Sequence, residues 1–147
     1  MFLSIINRFV ITITPLLPLS FVRMIAKRYV AGENSQEALK IVQRLNENGY
    51  SVTLDILGEH SKNKIDAQSI TDEYANLYER ILIQKLDCNI SIKPSHIGMN
   101  ISKDCIFENI TNLIETARQY GQFIRIDMED SSLTDDTIRL FNDCKNN

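Results

Sequence analysis

The sequence predicts an α/β fold, in which N-terminal helices precede three strand–helix units of a partial (β/α)8 barrel. Three short strands alternate with longer helical segments along the chain, and this order is typical of βαβ units with a parallel sheet. In each strand apolar residues alternate with polar ones, whereas parallel strands covered on both faces are nearly continuous apolar runs. The alternation therefore favours a barrel, whose interior can hold polar groups, over an open sheet.

The first predicted element is a helix that follows a turn at Gly32. Asn34 or Ser35 is its predicted N-cap, and Glu37 lies in the first turn, where an acidic residue suits the helix dipole. Gly49 is predicted to end the helix. One face carries apolar residues at helical spacing: Ala38, Ile41, Val42 and Leu45.

Three strand–helix units are predicted next. The strands cover residues 51–59, 89–94 and 123–130, and the helices that follow them cover residues 66–85, 103–121 and 134–145. The first of these helices is predicted to bury Ile70, Tyr74, Leu77, Tyr78, Ile81 and Leu82. Two phenylalanines of the later helices, Phe107 and Phe141, are also assigned to the core.

The polar side chains of the three strands share one parity. In chain order these residues are Thr53, Asp55, Ser91, Lys93, Arg125 and Asp127. If helices cover the apolar faces, the polar faces converge on a common interior, and a TIM-type barrel carries its reactive groups at the carboxyl ends of its strands. Charges in such an interior are stable where they pair or bind a ligand.

The chain is predicted to comprise an N-terminal helical segment, residues 1–49, and the partial barrel, residues 50–147. A complete (β/α)8 barrel takes roughly 250 residues, so 147 residues hold less than half of one. The apolar N terminus is interrupted by Arg8, Pro15 and Pro18. It is interpreted as short amphipathic helices, with an anchor or targeting segment as the alternative.

Composition excludes several other classes of function. The net charge of −3 and the lack of a basic block argue against a nucleic-acid partner. Cys88, Cys105 and Cys144 are widely spaced, and we interpret them as free thiols in a reducing compartment. His60 and His96 both follow strand ends, but no carboxylate or second histidine lies at ligand spacing, so no metal site is predicted.

Four segments in a fixed order carry a family resemblance: YVAGEN, SVTLDILGE, ISIKPSHIGMN and FIRIDMEDSSLTDDTIRLF. Together they resemble the N-terminal part of the short bacterial proline dehydrogenases. The resemblance implies a distorted (β/α)8 barrel that binds FAD noncovalently and oxidises L-proline to Δ1-pyrroline-5-carboxylate. It also implies hydride transfer to the flavin N5 and delivery of the electrons to a membrane quinone, while the protein orients and tunes the flavin.

The resemblance also implies roles for individual residues. Lys93 matches a lysine near the flavin and the substrate carboxylate, and Asp127 matches an active-site aspartate, so both are predicted catalytic and cofactor-binding residues. Glu59 matches a loop acid that pairs with an arginine of the last helix and helps to close the site. Asp55 matches a supporting acid of the first strand, and Arg125 is assigned to the same interior network.

Three functional interpretations stay open, and the third of them is a half-barrel from another enzyme family with similar strand ends. The first is the N-terminal part of a proline dehydrogenase, truncated and inactive alone, because the family's arginine pair and most of its FAD contacts belong to later segments. The second is a non-catalytic half-barrel that a separate C-terminal half or self-association completes, since an uncovered edge strand favours association. The first two predict a cytoplasmic protein, with peripheral contact at the inner membrane as an alternative location.

Overall fold

The computed structural model describes residues 18, 30–58 and 60–145. Within these residues lie, in chain order, α1 (Ser35–Glu47), β1 (Val52–Leu54), α2 (Lys64–Ile83), β2 (Cys88–Ile92), α3 (Lys103–Gln119), β3 (Ile124–Ile126) and α4 (Thr134–Lys145). The predicted order of one helix followed by three strand–helix units is confirmed. The helices predicted upstream of α1, and Glu59, lie outside the described residues.

The chain divides into two compact units between Ile41 and Val42. In the first unit, the backbone N–H of Glu37 donates to Asn34 Oδ1 over 3.0 Å, so Asn34 is the residue that caps α1. The second unit contains all three strand–helix units, and the predicted boundary after residue 49 stays a prediction. Among the described residues, no helix is both long and apolar enough to cross a membrane.

The three strands form one parallel sheet in the order β1–β2–β3. Leu54 pairs with Ile90, and Ile90 pairs with Ile124, so these three side chains share one face of the sheet. Ile90 is completely buried on that face, whereas Thr53 and Arg125 on the opposite face are exposed. The predicted alternation is therefore confirmed, and the polar face is open to solvent at β1 and β3, whereas Ser91 of the central strand is buried.

Helices α2 and α3 cover the apolar face, because they pack against each other and contact β2 and β3 respectively. The residues that α2 buries are Ala67, Thr71, Tyr74, Leu77, Tyr78 and Ile81. Each of the two helices begins at a side-chain cap: Asn63 Oδ1 accepts from the N–H of Asp66 over 3.0 Å, and Ser102 Oγ accepts from the N–H of Cys105 over 3.1 Å. Caps of this kind stabilise a helix by about 1 kcal/mol.

Helix α3 ends at a turn that leads directly into β3. Gly121 has a φ of +65°, a left-handed conformation that a residue with a Cβ rarely adopts. The N–H of Gln122 donates back to the carbonyl of Ala117 over 2.8 Å, which satisfies one of the free carbonyls at the helix end. This glycine therefore sets where β3 begins.

Three side chains that the sequence assigned to the core are exposed, namely Leu82, Phe107 and Phe141, and Leu45 on the apolar face of α1 is exposed too. Leu82 directly follows the buried Ile81, and one helical step of about 100° turns it away from α3. Phe107 and Phe141 expose 48% and 53% of their surface. The core prediction was wrong at Leu82, Phe107 and Phe141, since helical spacing identifies a face but not what covers it.

The buried thiol of Cys88, at the start of β2, makes the stability of the fold depend on pH. Burial, and then the charge of Asp87, raise the pKa of the Cys88 thiol from 9.0 to about 11. Because unfolding returns the pKa to its ordinary value, the thiol's contribution to stability is complete below pH 9 and is lost as the pH rises to 11. Over this range we expect the free energy of unfolding of the wild-type chain to fall by roughly 1–2 kcal/mol more than that of Cys88→Ala, because solvent screening reduces the effect of the shift. Urea denaturation of both proteins between these pH values measures the difference, and parallel curves would contradict it.

Candidate functional site

Three charged side chains meet at the carboxyl ends of the parallel strands. Asp55, Lys93 and Asp127 are the residues that directly follow β1, β2 and β3. Parallel strands end at the same edge of a sheet, and all three residues have the parity of the open polar face. The structure thus brings together three of the four residues that the sequence predicted for the site.

The ammonium of Lys93 lies between the two carboxylates. Its Nζ donates to Asp55 Oδ2 and lies 3.9 Å from Asp127 Oδ2. The side chains of Lys93, Asp55 and Asp127 expose 27%, 25% and 36% of their surface. Such half-buried charge pairs are only partly screened by water. The cluster holds one ammonium and two carboxylates, so it can receive a ligand that carries both a positive and a negative group.

Two neutral hydroxyl groups fix the carboxylates. Tyr74 Oη donates to Asp55 Oδ1 over 3.3 Å, and Ser91 Oγ donates to Asp127 Oδ1. Burial, and then the charge of Asp55, raise the pKa of the Tyr74 phenol well above its ordinary value. The phenol is therefore protonated at neutral pH and remains a hydrogen-bond donor.

A second group of polar side chains lies one step further along the same connections. The backbone N–H and the hydroxyl of Ser95 both donate to the carboxylate of Glu129, and the Nδ1 of His60 lies 2.6 Å from Ser95 Oγ. These residues belong to the connections that follow β2, β3 and β1. The group therefore joins all three carboxyl-end connections beside the ion pairs.

The remaining predicted positions have different outcomes. Glu59 lies outside the described residues, so its gating role stays a prediction. Arg125 is exposed, and its guanidinium carbon lies 6.0 Å from the centre of the Phe123 ring. The described contacts thus place Arg125 over an aromatic ring on the sheet surface, and not in the network around Lys93.

The sequence prediction assigned no site role to Tyr74 or Ser91. Ser91 carried a usable signal, because it has the same parity as Lys93 and lies two residues before it. Tyr74 was correctly assigned to the core, where it has no exposed surface. Helical spacing alone does not indicate that its hydroxyl reaches Asp55 across 19 residues of chain. In the described part of the chain, no group of three or more histidine, cysteine, aspartate and glutamate side chains could hold a metal ion.

Comparison with known proteins identifies a family and several relatives. Residues 38–147 match the family model described as proline dehydrogenase. The chain is 32% identical over 123 residues to proline dehydrogenase 1 of Bacillus subtilis subsp. natto, a match that covers 84% of this chain and 41% of the relative. It is 32% identical over 120 residues to the proline dehydrogenase of Deinococcus radiodurans, which covers 80% of this chain and 39% of that protein. The chain thus spans about two fifths of the length of these curated relatives.

A solved structure shares the fold. The crystal structure of proline utilization A (PutA) from Bdellovibrio bacteriovorus, inactivated by N-propargylglycine, superposes with a TM-score of 0.79. The match has 22% sequence identity and covers 86% of this chain and 16% of that one. At this identity the likeness supports the α/β fold.

Proposed function

Because this chain belongs to the proline dehydrogenase family, we propose that it supplies one part of a site that oxidises L-proline to Δ1-pyrroline-5-carboxylate. The observation that supports this most strongly is the ammonium of Lys93, which lies between Asp55 and Asp127 at the carboxyl ends of three parallel strands. Barrel enzymes carry their reactive groups at this edge of the sheet. In this reaction the proline ring loses a hydride from carbon and a proton from nitrogen.

The charges of the cluster suit the substrate. L-Proline is a zwitterion, so its carboxylate needs a cationic donor and its ring nitrogen needs an acceptor or a nearby negative charge. We assign Lys93 to the substrate carboxylate and Asp127 to balancing the positive charge around it. Asp55, which Tyr74 holds by a hydrogen bond, positions the ammonium of Lys93. The assignment of Glu59 to gating rests on the family resemblance alone.

The same residues fit one edge of the cofactor that the family implies. FAD, when bound, accepts the hydride, and a quinone is the proposed final acceptor of the electrons. Lys93 is a cationic donor on the open polar face, and a positive charge beside a flavin ring favours its reduced form. The carboxylate of Asp127, which accepts a hydrogen bond from Ser91, partly offsets the positive charge of Lys93. Other anions are therefore attracted less strongly. Lys93 and Asp127 are therefore the residues that would contact the flavin from this part of the chain.

We further propose that the three units are part of a (β/α)8 barrel. β3 pairs with β2 alone in the described sheet, so its outer edge is unpaired. Beside this edge an apolar groove of about 340 Å³ runs between α3, β3 and α4, and Phe123 and Phe141 line it. These two side chains expose 58% and 53% of their surface. A further strand–helix unit on β3 would cover both the strand edge and the groove.

A second candidate function follows from the same groove. The further strands of such a barrel can belong to the same polypeptide, to a separate C-terminal half, or to a second copy of this chain. In the last case the protein is a non-catalytic half-barrel that binds a second copy of itself. The two candidates share a proposed cytoplasmic location, with peripheral membrane contact where a quinone accepts the electrons.

Complementation tests the proposed function. We expect the polypeptide of residues 1–147 alone to carry no flavin and to show no L-proline-dependent dye reduction. Co-expression with the C-terminal three fifths of the Bacillus subtilis relative should yield a yellow complex, which we call the complemented enzyme. This complex should reduce the dye with L-proline and not with D-proline.

Each other outcome points to a different conclusion. Bound FAD and turnover by residues 1–147 alone would show that no further strands are needed. A complex that binds FAD but does not oxidise L-proline would favour the non-catalytic half-barrel.

A further inference from the structure

We propose that His60, Ser95 and Glu129 form a tether that positions the β1–α2 connection against the turn after β2. The same connection begins at Asp55, which pairs with Lys93. The tether would therefore hold the far end of the connection and keep Asp55 over Lys93. None of its three side chains has a role in the family resemblance.

The turn after β2 is a firm base for such a tether. Within it, the N–H of His96 donates to the carbonyl of Lys93, and the N–H of Met99 donates to the carbonyl of Pro94, both over 3.0 Å. From α3, the buried amide of Asn109 donates to the carbonyl of Ile97 over 2.9 Å. Hydrogen bonds on both sides thus fix the backbone that carries Ser95.

Glu129 attaches the β3–α4 connection to this turn. Ser95 is completely buried, and its N–H donates to Glu129 Oε2 over 2.9 Å while its hydroxyl donates to Oε1. Hydrogen bonds to a carboxylate are stronger than those between neutral groups. Both oxygens of the carboxylate are thus held by a single residue, which fixes its orientation.

The direction of the remaining hydrogen bond follows from proton counting. A serine hydroxyl has one hydrogen, and the hydrogen of Ser95 points to a carboxylate that can only accept. Towards His60, Ser95 Oγ must therefore accept, so His60 Nδ1 carries a hydrogen across the 2.6 Å contact. The structure assigns neutral His60 to the Nδ1–H tautomer, and Nε2 holds the lone pair.

Neighbouring contacts extend the tether along the connection. Ser61 Oγ donates to the carbonyl of His96, and the N–H of Ser61 donates to the carbonyl of Ser95 over 3.4 Å. A Cβ added at Gly58 would lie 3.1 Å from Cε1 of His96. That ring is 2% exposed, and neither of its nitrogens has a hydrogen-bond partner in the described part of the chain. It thus acts as a packing surface against which Gly58 fits closely.

Limited proteolysis tests the tether in the full chain. Trypsin cleaves after Lys62, which lies in the tethered connection, and local opening controls cleavage when opening and closing are fast. We expect His60→Phe and Ser95→Ala each to accelerate cleavage at Lys62 about fivefold, because each removes the hydrogen bond between His60 and Ser95, and a net loss of about 1 kcal/mol corresponds to this factor. His60→Asn should stay within about twofold of wild type, because the Asn amide nitrogen occupies the position of Nδ1 and donates one hydrogen bond.

Two internal references keep this experiment interpretable. Thr116→Ala removes an exposed hydroxyl hydrogen bond within α3 and should leave cleavage at Lys62 unchanged. Cleavage after Lys85, in the exposed turn between α2 and β2, serves as a reference site outside the tethered connection. The proposal is overturned if His60→Phe and His60→Asn behave alike, or if any acceleration is equal at Lys62 and Lys85.

A spectroscopic measurement tests the proton assignment independently. In 15N NMR spectra of the wild-type chain, neutral His60 should show a protonated Nδ1 and a bare Nε2, and Ser95→Ala should shift the population towards the Nε2–H tautomer. A wild-type Nε2–H tautomer would overturn the assigned direction. The positioning of Asp55 rests on the proposed function, but neither readout needs flavin or proline. Failure of the proposed function would therefore leave both results intact.

Discussion

Replacing Lys93 with methionine is expected to lower kcat/KM for L-proline at least about a hundredfold in the complemented enzyme. Methionine keeps most of the aliphatic stem but removes the ammonium that pairs with Asp55 and lies 3.9 Å from Asp127. A preorganised group that stabilises charge in an active site contributes about 10²–10³ in rate. The substitution also leaves two carboxylates close together without their cation, which repels the substrate carboxylate. Steady-state dye reduction at varied L-proline concentration measures both kcat and KM.

A matched control distinguishes this effect from a general loss of positive charge. Lys103, the exposed first residue of α3, lies outside the cluster, so Lys103→Met should retain nearly full activity. The double variant Lys93→Met with Asp55→Asn should lose less than the sum of the two single effects, since the residues act as a pair. Near-normal activity of Lys93→Met would remove this lysine from the site.

Replacing Phe141 with aspartate is expected to prevent complementation. This phenylalanine lines the apolar groove beside β3, and we propose that a further strand–helix unit covers it. An aspartate buried there without a partner carries a large desolvation cost. The flavin content of the purified complex should therefore fall more than about tenfold, as measured by absorbance per mole of protein.

Phe107 provides the control for this second substitution. It is exposed to a similar extent, 48% against 53% for Phe141, but it lies on α3 outside the groove. Phe107→Asp should leave the flavin content close to that of the wild type. If both variants complement equally well, or both fail, the groove is not the surface that receives the proposed further strand–helix unit.

The sequence predicted most of the fold because the relevant signals are local. Helix α4 was predicted with the bounds that the structure shows, Thr134–Lys145, because its signals, including the acidic residues of its first turn, lie within one segment. The parity of Asp55, Lys93 and Asp127 could also be predicted, since neighbouring side chains on a strand point to opposite faces. The strands themselves are shorter than predicted, since β1, β2 and β3 end at Leu54, Ile92 and Ile126.

The rest of the site depends on contacts that no local pattern records. Tyr74 reaches Asp55 from a helix, and Ser95 meets His60 and Glu129 from two separate connections. The connections between strands and helices have no periodic pattern. The sequence therefore suggested neither that His60 would lie beside Ser95 nor that the carboxylate of Glu129 would accept hydrogen bonds from Ser95. Such contacts become visible only when the three strand ends are placed side by side.

The strand register also determines where the chain can tolerate insertions and deletions. One residue added within β2 would turn Lys93 to the helix-covered face, because the side-chain repeat of a strand is two residues. Residues added at the turn between α2 and β2, where Lys85 has a φ of 52°, would leave the register of all three strands unchanged. This turn is therefore a suitable place for an epitope tag or a fluorescent label, and strand β2 is not.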